Sequence, residues 1–422
     1  MLLISHENSD SGLAEVDALV QKIRGDVSIY QLISPENHDL EKKRFENSLR
    51  QEIAEKTPGN EADVREAVDE IDLDELGSKD LEAVEPENPD FRYESSQDYS
   101  REREQIQTAR GKVNSSEACS TVSEVYSETL DEMEVLLDIA ENVGNQGVVR
   151  SASREIYGEP SSRAVEWAVE TLENTDSVSE AEEEYSASEM KNSIDSALEL
   201  LEMNEWSTEY TQKGFVSVNG AKQEIRVPEN REFTENEMMR LLVHEVGTHA
   251  VRGANGHEQE YEILGSGAGG YHVAEEGLAL FMENEAELSD SDLERKYAGR
   301  ALSVQSVIDG DNFADTYKMN RELGFDHDQS WSLTTRAHRG GSFIKDHVYA
   351  EGYRQVKKHL DEESGNLADL MIGKVSIDQG EALGQEGLEP EYSPVALLEN
   401  IDSLTPESVD TSQVYTDALE KY

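Results

Sequence analysis

The chain has 422 residues, of which 36% are hydrophobic, and its 92 acidic and 37 basic residues give a formal net charge of −55. This hydrophobic content supports a sizeable core in one large domain or two, while the charge excludes nucleic acid and anionic membranes as expected partners. A single cysteine excludes an internal disulfide framework, and the lack of a signal peptide or an apolar run of membrane-spanning length predicts a cytoplasmic protein.

The N-terminal half of the chain is predicted to be helical. Residues 1–100 form an N-terminal segment, in which about 57–87 are an acidic insertion without aromatic residues. Residues 101–206 form a helical region, because apolar residues recur there at helical spacing. The excess of carboxylates is typical of a halophilic protein, since about 1 M salt shortens the Debye length to roughly 3 Å and screens their repulsion.

Residues 207–389 are predicted to form the catalytic region, followed by a C-terminal tail at 390–422. The region opens with two short runs of alternating apolar residues, at 215–218 and 223–227, on either side of an Asn-Gly pair at 219–220. Asn-Gly favours the primed two-residue turn that matches the twist of paired strands. We therefore expect a β-hairpin with such a turn.

A helix that begins after the T-x-x-E capping box at Thr234 carries the sequence His244-Glu245-Val-Gly-Thr-His249. Two histidines and a carboxylate can hold a catalytic Zn²⁺ with one position open for water, and Glu245 can take that water's proton. In a regular α-helix, five residues turn about 140° past a full turn, so the two rings would not converge. We therefore expect a π-type break of the helical hydrogen bonds near Gly247, where glycine makes an irregular backbone least costly. The alternative is that both histidines are ordinary polar groups on a buried helix.

The next apolar run, Glu275-Glu276-Gly-Leu-Ala-Leu-Phe-Met-Glu283, is predicted to be a second buried helix that carries acidic residues. Buried carboxylates need a partner, and a zinc ion is a suitable one. Glu276 and Glu283 are seven residues apart and therefore share a face, so that one can bind the metal while the other supports a ligand histidine. His272 and Glu275 are rival third ligands, and the residues alone leave this choice open.

The HExxxH sequence and the later Glu276-Gly-Leu-Ala279 element resemble two related families. One comprises the QEGLA-motif proteins, named as flavohemoglobin-expression-modulating, and the other the microtubule-associated tyrosine carboxypeptidases. Weaker likenesses, among them Tyr157-Gly-Glu-Pro160 and Arg336-Ala-His-Arg-Gly-Gly341, extend the resemblance over roughly residues 30–390. The chain departs from the first family in having Glu275 where the name implies glutamine.

The resemblance implies a zincin-like metallopeptidase that removes a C-terminal residue, tyrosine in the second family. It implies Zn²⁺ on His244, His249 and Glu276, with Glu245 as the general base.

A compact basic cluster follows in this acidic chain, made of Arg336, Arg339 and Lys345. A carboxypeptidase must hold a terminal carboxylate, and a guanidinium does so with two parallel hydrogen bonds. We therefore predict that the cluster binds substrate, although salt bridges to nearby acids are the alternative. Tyr349 or His338 is placed to stabilise the oxyanion that forms during attack, or else belongs to the core.

The sequence thus predicts an α+β protein that is mainly helical, with an HExxxH helix and a small β-hairpin or sheet. The expected function is that of a zinc metallocarboxypeptidase acting on the C-terminus of a peptide or protein. The alternative is a zinc-binding regulatory protein without peptidase turnover. The sequence makes no prediction of oligomeric state.

Overall fold

The computed structural model describes residues 11–56, 68, 71–82, 84–94, 97–175, 184–362 and 365–404. Residues 57–67 of the predicted acidic insertion and 405–422 of the predicted tail lie outside this part of the chain. The described residues are mainly helical, with two small sheets, which confirms the predicted mainly helical α+β class. None of the helices described is both long and apolar enough to cross a membrane. The domain boundaries stay a prediction.

The N-terminal part of the chain is a set of helices that shares a core with later residues. The helices are α1 (Ser11–Asp26), α2 (Ile29–Leu32), α3 (His38–Lys56), α4 (Ser78–Glu82), α5 (Ser100–Ser115), α6 (Ser120–Glu141), α7 (Gln146–Tyr157) and α8 (Ser162–Asn174). Val20, Ile106 and Leu130, from α1, α5 and α6, are fully buried in one apolar cluster with Ile372 and Val375. The N-terminal helices are therefore packed against the C-terminal half.

The strands form two separate sheets around α9 (Ala187–Leu200). The strands are β1 (Glu184–Ser186), β2 (Ser207–Thr211), β3 (Ser217–Asn219), β4 (Glu224–Pro228) and β5 (Glu232–Thr234). β1 and β5 pair antiparallel, with Tyr185 opposite Phe233. In the second sheet β4 lies between β2, which is parallel to it, and β3, which is antiparallel with Val218 opposite Ile225.

The predicted hairpin exists, but the prediction of its primed turn is wrong. β3 and β4 are joined by a 3-10 turn, Gly220–Lys222, followed by Gln223 in the left-handed region at φ 50°. The Asn219 side chain accepts a hydrogen bond from the Lys222 N–H at 3.2 Å. Asn219 therefore caps a short helical turn. Asparagine is favourable both in this role and in a primed two-residue turn, so its presence alone does not distinguish the two.

The remaining helices surround the predicted metal-binding residues. They are α10 (Glu235–Leu241), a π-helix (Leu242–Ala250), α11 (Val251–Glu258), α12 (Ile263–Ser266), α13 (His272–Glu285), α14 (Ser291–Asp309), α15 (Phe313–Glu322), α16 (His327–Ser342), a 3-10 helix (Ile344–His347), α17 (Val348–Asp361), α18 (Leu367–Met371), α19 (Ile377–Gln385), α20 (Val395–Glu399) and a final 3-10 helix (Ile401–Leu404). As predicted, α10 begins at Glu235, because the Thr234 side chain accepts from the Glu237 N–H at 3.2 Å. Helices α13 and α17 cross at Gly277 and Gly352, whose backbones touch so closely that a side chain on Gly277 would overlap Gly352.

Candidate metal centre

The segment that carries both predicted histidines is the π-helix Leu242–Ala250, and all nine of its residues are buried. The Thr248 Oγ1 hydroxyl donates to the carbonyl of Val243, five residues back, at 3.1 Å. The π-helix itself confirms the predicted break in the α-helical hydrogen bonds, and at nine residues it is longer than a single bulge near Gly247. A Cβ atom on Gly247 would lie 3.0 Å from Leu397 Cδ2, so this glycine also lets α20 approach the π-helix.

The π-helix turns the rings of His244 and His249 toward each other. Their centroids lie 4.7 Å apart, and the ring planes are perpendicular at 90°. Glu276 Oε2, on α13, lies 4.0 Å from His244 Nε2 and 3.9 Å from His249 Nε2. Potential ligand atoms of the three residues lie within 4.8 Å of one another. The structure thus brings together the three side chains predicted to hold the metal.

Glu245 lies on the π-helix between the two histidines and is 8% exposed. Burial raises the pKa of its carboxyl group, while the two nearby imidazoles act in the opposite direction. A carboxylate of raised pKa is suited to accept a proton from water, as a general base must.

Glu283, one of the two acids on the predicted face of α13, supports His244 from behind. Its Oε1 atom lies 2.6 Å from His244 Nδ1 and accepts a hydrogen bond from Arg240 Nη1 at 3.0 Å. Burial alone would lower the pKa of His244, but the Glu283 carboxylate raises it to about 9. In the absence of a metal, the His244 ring therefore carries a proton at neutral pH.

Glu275, a rival third ligand, is not part of the group of converging ligand atoms. Arg252 donates to one of its oxygens, and Lys374 Nζ donates to the other at 2.5 Å. Its Oε1 also lies 3.0 Å from His249 Nδ1, at an angle too poor for a hydrogen bond. Burial would raise the pKa of Glu275, but Lys374 and Arg252 hold it well below its usual value. Glu275 is therefore a buried anion that supports His249.

We call Arg240, Glu283, Glu275, Arg252 and Lys374 the outer layer of the site. The sequence reasoning did not identify the two arginines, although their spacing carried a signal. Arg240 lies four residues before His244, and Arg252 lies three residues after His249, spacings that place side chains on one side of a helix. Lys374 is 99 residues from Glu275, and no local pattern links the two.

His272, the other rival ligand, does not belong to the group of ligand atoms. Its ring lies against Tyr271 at a centroid distance of 4.1 Å and against Tyr157 at 5.5 Å. Burial lowers the pKa of His272 well below its usual value. This neutral ring lies one helical turn before Glu276 on α13.

The predicted substrate-binding cations differ in the groups that they contact. Arg336 donates to both carboxylate oxygens of Asp346, from Nε at 2.5 Å and from Nη2 at 2.9 Å. Arg339 lies 5.8 Å from the ring centre of Tyr30 and lines a surface cavity with Arg336 and Trp331. His338 bonds to a hydroxyl of the buried polar core, and burial lowers its pKa to about 4.

Lys345 and Tyr349 lie nearer to the metal-binding residues. Lys345 is 7% exposed, and its ammonium lies 5.3 and 5.8 Å from the ring centres of Tyr30 and Tyr157. Burial disfavours its charge, but surrounding groups that include Glu276 raise the pKa of Lys345 well above its usual value. Tyr349 stacks on a neighbouring tyrosine ring at 4.6 Å.

The ligand atoms of His244, His249 and Glu276 are of the kinds that bind a zinc ion. Two imidazole nitrogens and one carboxylate oxygen form a set that zinc accepts in catalytic sites, with a fourth position open. The Nδ1 atoms of both histidines face carboxylates, which is the usual orientation of ligand histidines. Within the described residues, neither Nε2 atom makes a hydrogen bond, so both are available to a metal.

Comparison with known proteins gives a family for the chain. The model of the microtubule-associated tyrosine carboxypeptidase family matches residues 81–396. The matched range contains His244, Glu245, His249 and Glu276, together with the whole outer layer. No curated protein matches the chain. Because the match covers most of the sequence, the chain belongs to the microtubule-associated tyrosine carboxypeptidase family.

Proposed function

We propose that the protein is a zinc-dependent carboxypeptidase with a zincin-like site, which removes the last residue of a peptide or protein. The observation that carries this proposal is the convergence of His244, His249 and Glu276 across a π-helix that also carries Glu245. The direction of cleavage, from the C-terminus, rests on the name of the family, which also makes tyrosine the first residue to test.

The proposed chemistry is metal-assisted hydrolysis of a peptide bond. When bound, zinc would supply Lewis acidity, which lowers the pKa of a water ligand to about 7 and polarises the scissile carbonyl. His244, His249 and Glu276 would hold the ion, and the outer layer would fix the two rings. Glu245 would accept the proton of the attacking water and pass it to the leaving amine.

Replacing Glu245 by glutamine tests the proposal against the regulatory alternative. The variant keeps the metal-binding side chains but has no base, so we expect metal content to be unchanged and kcat to fall by about 10²- to 10⁴-fold. Glu258→Gln, at the exposed end of α11, is the matched control and should retain activity. The measurements are zinc content and release of tyrosine from peptides at high salt.

A result in which the wild type releases no residue from any C-terminal peptide library would favour a zinc-binding protein without turnover. So would a Glu245→Gln variant whose biological effect equals that of the wild type.

A further inference from the structure

Lys345 differs from the other buried basic residues of the described chain. Each of the others donates to a carboxylate or to backbone carbonyls, and they are Arg240, Arg252, Arg295 and Lys374. The Lys345 ammonium donates to no described residue and forms no ion pair with one. A buried charge is costly unless it is paired, and in a chain of net charge −55 acidic partners are abundant.

The position of Lys345 relative to the metal-binding residues follows from two contacts. The Tyr157 ring lies 5.8 Å from Lys345 Nζ and 5.5 Å from the ring of His272. His272 lies four residues before Glu276 on α13, so the two side chains are one helical turn apart on the same face. These contacts, together with the effect of the Glu276 charge on Lys345, place Lys345 near Glu276.

The backbone that precedes Lys345 is held in an unusual conformation. Gly340, Gly341 and Ser342 all have positive φ, at 67°, 97° and 71°, and a left-handed serine persists only where its surroundings impose it. A Cβ on Gly340 would lie 2.6 Å from Ile33, so only glycine fits there. This reversal ends α16 and turns the following 3-10 helix, which carries Lys345, toward the interior.

His347 fixes this 3-10 helix to the tyrosine that lies over Lys345. Its Nδ1 and Nε2 atoms lie 2.7 and 3.1 Å from the carbonyl oxygens of Ile344 and Tyr157. His347 is fully buried. The backbone that carries Lys345 is thus held by contacts on both sides, and a binding group needs such support to be placed precisely.

We propose that the Lys345 ammonium binds the α-carboxylate of the substrate's last residue and so limits cleavage to the final peptide bond. The proposal rests on the proposed function and selects one member of the basic cluster. Arg336 is a weaker candidate because its charge is already paired with Asp346 through Nε and Nη2. Arg339 lies beyond Tyr30, toward the surface cavity. A buried ammonium that forms no ion pair within the protein favours an anionic ligand.

The test compares two peptides that differ only in carrying a free carboxylate or an amide on a C-terminal tyrosine. For the wild type, we expect the free acid to be cleaved faster by about 30-fold or more, the range measured for buried charge pairs. Lys345→Met should remove this preference by slowing cleavage of the acid and leaving the amide unchanged. Lys345→Arg should keep the preference, and Lys358→Met, which removes an exposed lysine of α17, should behave as the wild type.

Equal losses on both peptides would overturn the proposal, because they would mean that Lys345 acts only on the structure. Binding of the same peptides to Glu245→Gln and to Glu245→Gln/Lys345→Met, measured by calorimetry with zinc present, separates this proposal from the hydrolase assignment. Suppose that the wild type cleaves neither peptide, but Glu245→Gln binds the acid more tightly than the amide and the double variant does not. The carboxylate site at Lys345 would then be supported, and the assignment as a hydrolase would be contradicted. If both variants bind acid and amide equally, the carboxylate site falls.

Discussion

The charged side chains of the outer layer differ from Glu276 and Lys345 in how their charges are paired. In the outer layer every charged side chain is paired, as Glu275 is with Arg252 and Lys374. Near the proposed ligand atoms, Glu276 lies about 4 Å from two imidazole nitrogens. Lys345 contacts two tyrosine rings but forms no hydrogen bond or ion pair with a described residue. Paired charges fix positions, whereas unpaired buried charges indicate where a ligand binds.

The contrast between Glu275 and Glu276 shows the difference most directly, because the two residues are adjacent in sequence. Glu275 is held by Arg252 and Lys374, whereas Glu276 lies about 4 Å from the Nε2 atoms of both histidines.

Removing Glu276 should have the largest effect on metal affinity, because it is one of three proposed ligands. We expect Glu276→Ala to weaken zinc binding by more than the roughly 100-fold that marks the upper range for outer groups. Competition with a chromophoric chelator measures the affinity. Glu285→Gln at the end of α13 is the control, and equal zinc affinity in Glu276→Ala and wild type would contradict the assignment.

Removing Arg252 should have the largest effect on stability. Its side chain is fully buried and donates to Glu275 and to the carbonyls of Leu370 and Val375. Arg252→Met leaves these acceptors short of a donor and should lower the free energy of unfolding by about 3–5 kcal/mol. Denaturant titration of the metal-free protein measures this loss.

The control for that experiment is Arg154→Met, because Arg154 forms an exposed pair with Glu159 and exposed pairs contribute about 1 kcal/mol or less. Similar losses in the two variants would show that the outer layer does not depend on the buried pairing.

Removing the charge of Glu283 should weaken metal binding without abolishing it. Glu283→Gln keeps the size of the side chain but loses the carboxylate that orients His244, so we expect zinc affinity to fall by about 10- to 100-fold. An affinity equal to that of the wild type would show that Glu283 has no part in holding the ring.

The pH dependence of metal binding should reveal the same pair within the wild-type protein. Glu283 raises the pKa of His244 to about 9, and a protonated imidazole cannot bind a metal. Zinc affinity should therefore fall as the pH is lowered from 8 to 6, by up to about tenfold for each pH unit. Each bound zinc should also release a proton, which calorimetry in buffers of different ionisation enthalpy detects.

In Glu283→Gln the fall in affinity should begin at a lower pH, because the group that raises the His244 pKa is gone. A wild-type affinity that is constant over this pH range would contradict the proposed protonation of His244.

The local geometry of the metal-binding helix was predictable because five residues between the histidines cannot close a regular α-helical turn. Similar reasoning predicted that Glu276 and Glu283 share a helix face, with one able to bind the metal and the other to support a ligand histidine, since seven residues return to the same face. Both inferences use distances within one helix, and the structure confirms the π-helix and the Glu283 contact.

The choice between Glu275 and Glu276 was not predictable from the residues, because it depends on how α13 is rotated. That rotation is fixed by the close crossing of Gly277 and Gly352 and by Lys374, which comes from a distant part of the chain. The wrong prediction of a primed turn at Asn219 has a similar cause, since an asparagine side chain suits several turns and the neighbouring strands select one.

The most direct test of the account is a crystal structure with anomalous diffraction recorded at the zinc absorption edge. The account predicts one strong peak, about 2.0–2.2 Å from His244 Nε2, His249 Nε2 and a carboxylate oxygen of Glu276. A zinc-loaded crystal with no peak between these side chains, or with the ion bound to Glu275 instead, would contradict it.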